Sequence, residues 1–124
     1  MAVANLLLEG NHFEETISVV FNTSQPIKIT FTRDGDRASM SIPPSSFTPN
    51  QIGLIKSQSQ IPSIYVPSVK STGWIIINGG TYTSSAISID SDGIITMSYG
   101  PTGSSFQPLT NYLTNSNQSL SYLV

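Results

Sequence analysis

The stretch Ile27–Ile42, which reads IKITFTRDGDRASMSI, decides the fold. Apolar side chains occupy every second position on both sides of the segment Asp34–Asp36. This alternation is typical of half-buried β-strands, and a glycine between two aspartates is typical of a tight turn, because glycine adopts positive φ freely. The stretch therefore predicts an antiparallel hairpin in which Ile29, Phe31 and Met40 face a core.

Strand-like segments continue on both sides of this hairpin. Gly73–Asn78 is a continuous apolar run, which predicts a strand buried on both faces by a second sheet or a partner subunit. The other predicted strands are Thr16–Asn22, Ala86–Asp90, Ile94–Tyr99 and Gln118–Val124. Eight or so short strands separated by turns predict an all-β fold, an antiparallel jelly roll or β-sandwich. We expect residues 1–15 to form an N-terminal arm or shaft junction and residues 16–124 to form one domain.

Composition excludes several classes of function. The 124 residues suit a single domain, and the absence of cysteine excludes disulfides, cysteine-ligated zinc and a thiol nucleophile. The net charge of −2 argues against nucleic-acid binding. The longest apolar run, Trp74–Ile77, is too short to span a membrane, and no signal peptide is expected. Only 10% of residues are charged while 33 are Ser or Thr, which favours a β-rich chain that hides surface in an oligomer.

Catalytic and metal-binding motifs are not found in the sequence. His12 is the only histidine, so a Ser-His-Asp arrangement would depend on it alone. The aspartate pairs at Asp34–Asp36 and Asp90–Asp92 are explained by hairpin turns and lack the further ligands of a calcium loop. We therefore expect no enzymatic activity, no cofactor and no metal.

Aromatic residues are the best candidates for a binding site. Trp74, Tyr65 and Tyr82 could stack on a sugar, with hydrogen bonds from Arg33, Asp34 and Arg37 at the hairpin tip. Two alternatives stay open: Trp74 belongs to the core or a subunit seam, and the tip is a solvated turn. The residues expected in a trimer interface or in the core are Leu120, Tyr122, Val124 and Tyr99.

Four segments carry a resemblance to a known group of proteins: Ser41–Pro49, Ile64–Pro67, Ile87–Thr96 and Ser119–Val124. Their order resembles the C-terminal heads of bacteriophage tail-fibre and receptor-binding proteins. It is also similar to the heads of collagen-like fibre proteins of viruses and virophages, within the C1q/TNF-like group of trimeric jelly rolls.

The resemblance implies a non-enzymatic homotrimeric head at a fibre tip on the virion surface. Such a head attaches to a host glycan or protein receptor, often to a saccharide. Two alternatives remain: a structural minor capsid or decoration protein, and a C1q-like or lectin adhesion domain.

Overall fold

The predicted hairpin is present in the computed structural model, which describes residues 12–100 and 105–124. Strand β2 (Ile27–Asp34) pairs with β3 (Arg37–Ile42) in antiparallel register, with Phe31 opposite Met40. Gly35 has a φ of +61° in the turn, a backbone conformation that residues with a Cβ atom rarely adopt. The sequence prediction of the hairpin is confirmed.

Two further strands extend this hairpin into a four-stranded sheet of order β1-β2-β3-β10. Strand β1 (His12–Val19) pairs with β2, and β10 (Gln118–Leu123) pairs with β3. The first strand begins four residues earlier than predicted, because the register continues to His12 opposite Asp34. Residues 12–15 of the predicted arm are therefore part of the sheet, and residues 1–11 lie outside the described part of the chain.

The second sheet has six strands in the order β4-β9-β6-β7-β8-β5. Its strands are β4 (Ser45–Phe47), β5 (Ile55–Lys56), β6 (Ser71–Asn78), β7 (Tyr82–Ile89), β8 (Ile95–Met97) and β9 (Tyr112–Thr114). One turn of 3₁₀ helix, Ser63–Tyr65, precedes β6. In residues 12–100 and 105–124 no helix is long and apolar enough to cross a membrane.

The core lies between the inner faces of the two sheets. The fully buried apolar side chains include Ile29, Phe31 and Met40 from the smaller sheet and Ile75, Ile77, Ile87, Ile89 and Ile95 from the larger one. Burial of alternate residues removes the apolar half of each strand from water while the other half stays hydrated. The predicted antiparallel β-sandwich is confirmed.

Strand β6 departs from the prediction of burial on both faces. Ile75 and Ile77 are buried, whereas Trp74 is 57% exposed and Ile76 is also exposed. The four-stranded sheet covers only the inner face of β6, so within the single chain the outer face meets solvent. An apolar strand with one uncovered face is a typical mark of an interaction surface.

Candidate functional site

A shallow groove of about 210 Å³ lies on the outer face of the six-stranded sheet. Four of its lining side chains carry hydroxyl groups, two are small or apolar, and one is a lysine. They are Thr72, Ser88, Thr96, Ser98, Leu54, Ala86 and Lys70. Hydroxyl groups both donate and accept hydrogen bonds, so this floor suits a ligand that is itself rich in hydroxyls.

The register of the strands places the polar residues of the groove in one row across the sheet. Thr72 on β6 lies opposite Ser88 on β7, Ser88 lies opposite Thr96 on β8, and Thr96 lies opposite Lys56 on β5. Residues opposite each other in adjacent strands point to the same side of a sheet. The row therefore crosses four strands and ends at Lys56.

The edge strand β5 has only two residues, and side chains from elsewhere hold it in place. The Asn22 amide donates to the carbonyl of Leu54 (3.0 Å) and accepts from the backbone N–H of Lys56 (2.7 Å). On the other side, the Ser57 hydroxyl accepts from the N–H of Ile95 (2.9 Å). These bonds fix Leu54 and Lys56 beside the groove.

Trp74 stands next to the groove on the same face of the sheet. It lies opposite Ala86, whose small side chain lines the groove, and two residues from Thr72 on β6. Ile76 is the next residue of β6 on this face, and its backbone N–H donates a hydrogen bond to the Gln118 side chain (3.0 Å). An exposed indole beside hydroxyls offers both an apolar face and hydrogen-bonding groups, the combination that a pyranose ring requires.

A second depression of about 340 Å³ lies between the β7–β8 turn and the segment before the 3₁₀ turn. Its lining is Gln60, Ile61, Ser63, Val66, Ser91 and Asp92. The turn is fixed by Gly93, whose φ is +78° and whose carbonyl accepts from the N–H of Ile61 (3.1 Å). This depression is larger than the groove, and neither lining contains an aromatic side chain, but the groove has the exposed Trp74 next to it on the same face of β6. The groove beside Trp74 is therefore the stronger candidate for a saccharide.

The predicted aromatic residues have different environments. Tyr82 is 69% exposed and faces the same side as Trp74, but it lies opposite Asn78, at the far end of β6 from the groove. Tyr65 is only 1% exposed and stacks on Phe31, with ring centroids 5.3 Å apart. The prediction that Tyr65 stacks on a sugar was wrong, because its ring lies in the core.

The three polar candidates at the hairpin tip are not near Trp74, because their strands belong to the other sheet. Arg33 is half-buried and donates to the carbonyls of Gly35 (2.7 Å) and Ile64 (2.8 Å). Arg37 and Asp34 are exposed and lie opposite each other. The structure thus separates these three residues from the exposed Trp74 and Tyr82.

His12 lies between two carboxylates beside this tip. Its Nδ1 is 2.8 Å from Asp34 Oδ1, and its Nε2 is 3.2 Å from Glu14 Oε1. The hydrogen bond to Asp34, followed by the one to Glu14, raises the pKa of His12 above its ordinary value. No group of three or more His, Asp or Glu side chains in the described chain is arranged to hold a metal ion.

The four residues expected in a trimer interface or in the core all contact the core of the single chain. Tyr122 is 5% exposed, and its hydroxyl donates to the carbonyl of Tyr65 (2.7 Å). Leu120, Val124 and Tyr99 are partly buried and pack against the core. The Tyr99 ring also packs against that of Tyr112.

Sequence reasoning missed most of the groove. Period-two alternation from Trp74 would have added Thr72, because both lie on one face of the same strand. No sequence signal places Lys56 beside Thr96, since that pairing joins segments 40 residues apart. Lys70 immediately precedes β6 and carries no motif.

Comparison with known proteins adds a structural likeness. No protein-family model matches the chain, and no curated protein matches it. The fold is similar to that of a reovirus attachment protein, sigma1, in a crystal structure with α-2,3-sialyllactose. The TM-score is 0.54 at 12% sequence identity, and the likeness covers 91% of this chain and 65% of that chain.

This likeness concerns the fold alone. It supports a fold like that of a viral attachment fibre and does not support the C1q/TNF-like group specifically. The chain spans less than two thirds of the sigma1 chain that it matches.

Proposed function

We propose that the chain is a non-enzymatic head domain of a viral attachment fibre that binds a host-surface saccharide. The saccharide site is the groove on the outer face of the six-stranded sheet. The Trp74 indole packs against a sugar ring, and the hydroxyls of Thr72, Ser88 and Thr96 exchange hydrogen bonds with the sugar.

One observation carries this proposal: the chain's only tryptophan is exposed beside a hydroxyl-lined groove. Trp74 does not fill the core of this chain, because Ile75 and Ile77 occupy the inner side of β6 and Trp74 faces the other side. Removing an indole face from water contributes several times more binding free energy than one exposed hydrogen bond. The likeness to an attachment protein that was crystallised with a saccharide supports a saccharide as the class of ligand.

Homotrimer formation and display on the virion surface belong to the same proposal. Low charge and abundant Ser and Thr leave much of the surface suited to close contact between copies. Light scattering should give a mass of about 40 kDa, three times the 13.3 kDa of one chain. A stable mass of 13 kDa at micromolar concentration would contradict the trimer.

A glycan array tests the saccharide site directly. The labelled chain should be retained on a subset of glycans, and Trp74→Ala should weaken that retention by about tenfold or more. Tyr82→Ala is the matched control, because Tyr82 is an exposed aromatic residue at the other end of the same strand pair. It should keep the retention of the parent chain.

Two results would argue against the proposal. Failure of every glycan to retain the chain would favour a structural virion protein instead. Equal retention of the parent chain and Trp74→Ala would show that any saccharide binds elsewhere. In that case the depression lined by Ser63, Ser91 and Asp92 would be examined next.

A further inference from the structure

We propose that the groove selects an acidic saccharide, in which Lys70 contacts a carboxylate or sulfate group while Trp74 packs against a sugar ring. This inference rests on the proposed function and adds the chemical class of the ligand and its orientation.

The distribution of charge on the sandwich supports an anionic ligand. Lys70 lines the groove, and Lys56 lies at the end of its row of hydroxyls. No carboxylate lines the groove, and within the described residues neither lysine forms an ion pair. Each ammonium group therefore keeps its full positive charge available to a ligand on this face.

None of the described carboxylates lines the groove. Glu14 and Asp34 project from the opposite sheet beside His12. Asp90, the residue after β7, lies beside Lys70, because Ser71 pairs with Ile89. Its Oδ1 accepts hydrogen bonds from the backbone N–H groups of Asp92 (2.9 Å) and Ile94 (3.1 Å) inside the turn. The lining of the groove therefore carries one lysine and no carboxylate, in a chain whose net charge is −2.

The spacing along β6 fits an oligosaccharide. Lys70 and Trp74 are four residues apart, which is about 13 Å along an extended chain, with Thr72 between them. A ligand that contacts both must carry an anionic group at one end and an apolar ring face at the other. The hydroxyl-lined floor in between favours a hydroxylated ligand over an acidic peptide, whose apolar side chains would find only Leu54 and Ala86.

Isothermal titration with three related probes tests the inference: lactose, lactose 3′-sulfate and 3′-sialyllactose. The acidic probes should bind about three- to tenfold more tightly than lactose. This difference should shrink as NaCl is raised from about 0.05 to about 0.5 M, because salt screens exposed charges. The sulfated and sialylated probes distinguish a sulfate from a carboxylate as the preferred group.

Charge variants give the residue-level test. Lys70→Gln should remove most of the preference for the acidic probes over lactose. Lys28→Gln is the matched control, because Lys28 is an exposed lysine on β2 of the other sheet; it should change neither affinity. Circular dichroism of each variant checks that the fold is retained.

The outcomes separate this inference from the proposed function. Equal affinity for lactose and both acidic probes, or an unchanged preference in Lys70→Gln, overturns the acidic ligand and leaves a neutral-saccharide head in place. Binding of none of the three probes also overturns the acidic assignment, and the glycan array then decides whether any saccharide function remains.

Discussion

Removal of a single oxygen atom, in Tyr122→Phe, should destabilise the sandwich measurably. The Tyr122 hydroxyl donates to the carbonyl of Tyr65 over 2.7 Å, and this bond ties β10 to the 3₁₀ turn. Both rings are buried, so the substitution leaves the carbonyl without a side-chain donor in a region that excludes water. An unsatisfied buried polar group costs about 1–3 kcal/mol. For a domain of this size, a cost of about 2 kcal/mol lowers Tm by roughly 6–10 °C.

Thermal unfolding followed by circular dichroism measures this effect. Tyr82→Phe is the control, because Tyr82 is 69% exposed and loss of its hydroxyl should change the free energy of unfolding by no more than about 0.5 kcal/mol. If Tyr122→Phe melts within about 1 °C of the parent chain, the buried hydrogen bond does not contribute to stability as argued.

The same pair of tyrosines predicts a loss of stability at alkaline pH. Burial raises the pKa of Tyr65 to about 12, with a smaller effect of the Glu15 carboxylate, and burial also raises the pKa of Tyr122. In the unfolded chain both groups ionise near pH 10. The folded state therefore binds its protons more tightly, so stability is fully present below about pH 10 and falls as pH rises above it. In Tyr122→Phe this fall should be shallower, because one of the two groups is gone; an equally steep fall would refute the assignment.

Three further predictions concern other parts of the sandwich. Trp74→Ala should lower Tm by only a few degrees, because the indole is 57% exposed; a loss of more than about 3 kcal/mol would place it in the core. Gly79→Ala should cost about 1–3 kcal/mol in urea unfolding, since its Cβ would meet the buried ring of Tyr112 at 2.6 Å; unchanged stability would show that this ring can move. The single histidine, His12, should titrate by NMR with a pKa above its ordinary value, and Asp34→Asn should bring that pKa down; no change would mean that the 2.8 Å contact is absent in solution.

The strands of the smaller sheet could be predicted because one local pattern determines them. Alternation from Ile27 onward places Ile29 and Phe31 on the inner face, and the structure agrees. The same alternation places Arg33 on that inner face, where it donates hydrogen bonds to backbone carbonyls. The charge of Arg33 and its position near the turn had instead led to the prediction that it binds a ligand. The alternation was the better guide to the position of Arg33.

The larger sheet could be predicted less well, because the burial of its side chains and the pairing of its strands depend on segments that are distant in sequence. Four consecutive apolar residues in β6 suggested burial on both faces, yet no element of the described chain covers the face of Trp74. Tyr65 lies in a proline-rich segment without alternation, so its burial against Phe31 depends on tertiary packing alone. The groove requires β5 to lie beside β8, a pairing that local sequence does not encode.

Binding of a saccharide beside Trp74 can be detected by an NMR titration. Trp74 is the only tryptophan, so its indole N–H gives a single resonance in a ¹⁵N correlation spectrum. On addition of 3′-sialyllactose this resonance should shift together with the amides of Thr72 and Ser88, while the amides of Thr32 and Ser39 on the opposite sheet stay in place. Shifts confined to the opposite sheet, or no shift of the indole resonance at millimolar saccharide, would show that the saccharide does not bind beside Trp74.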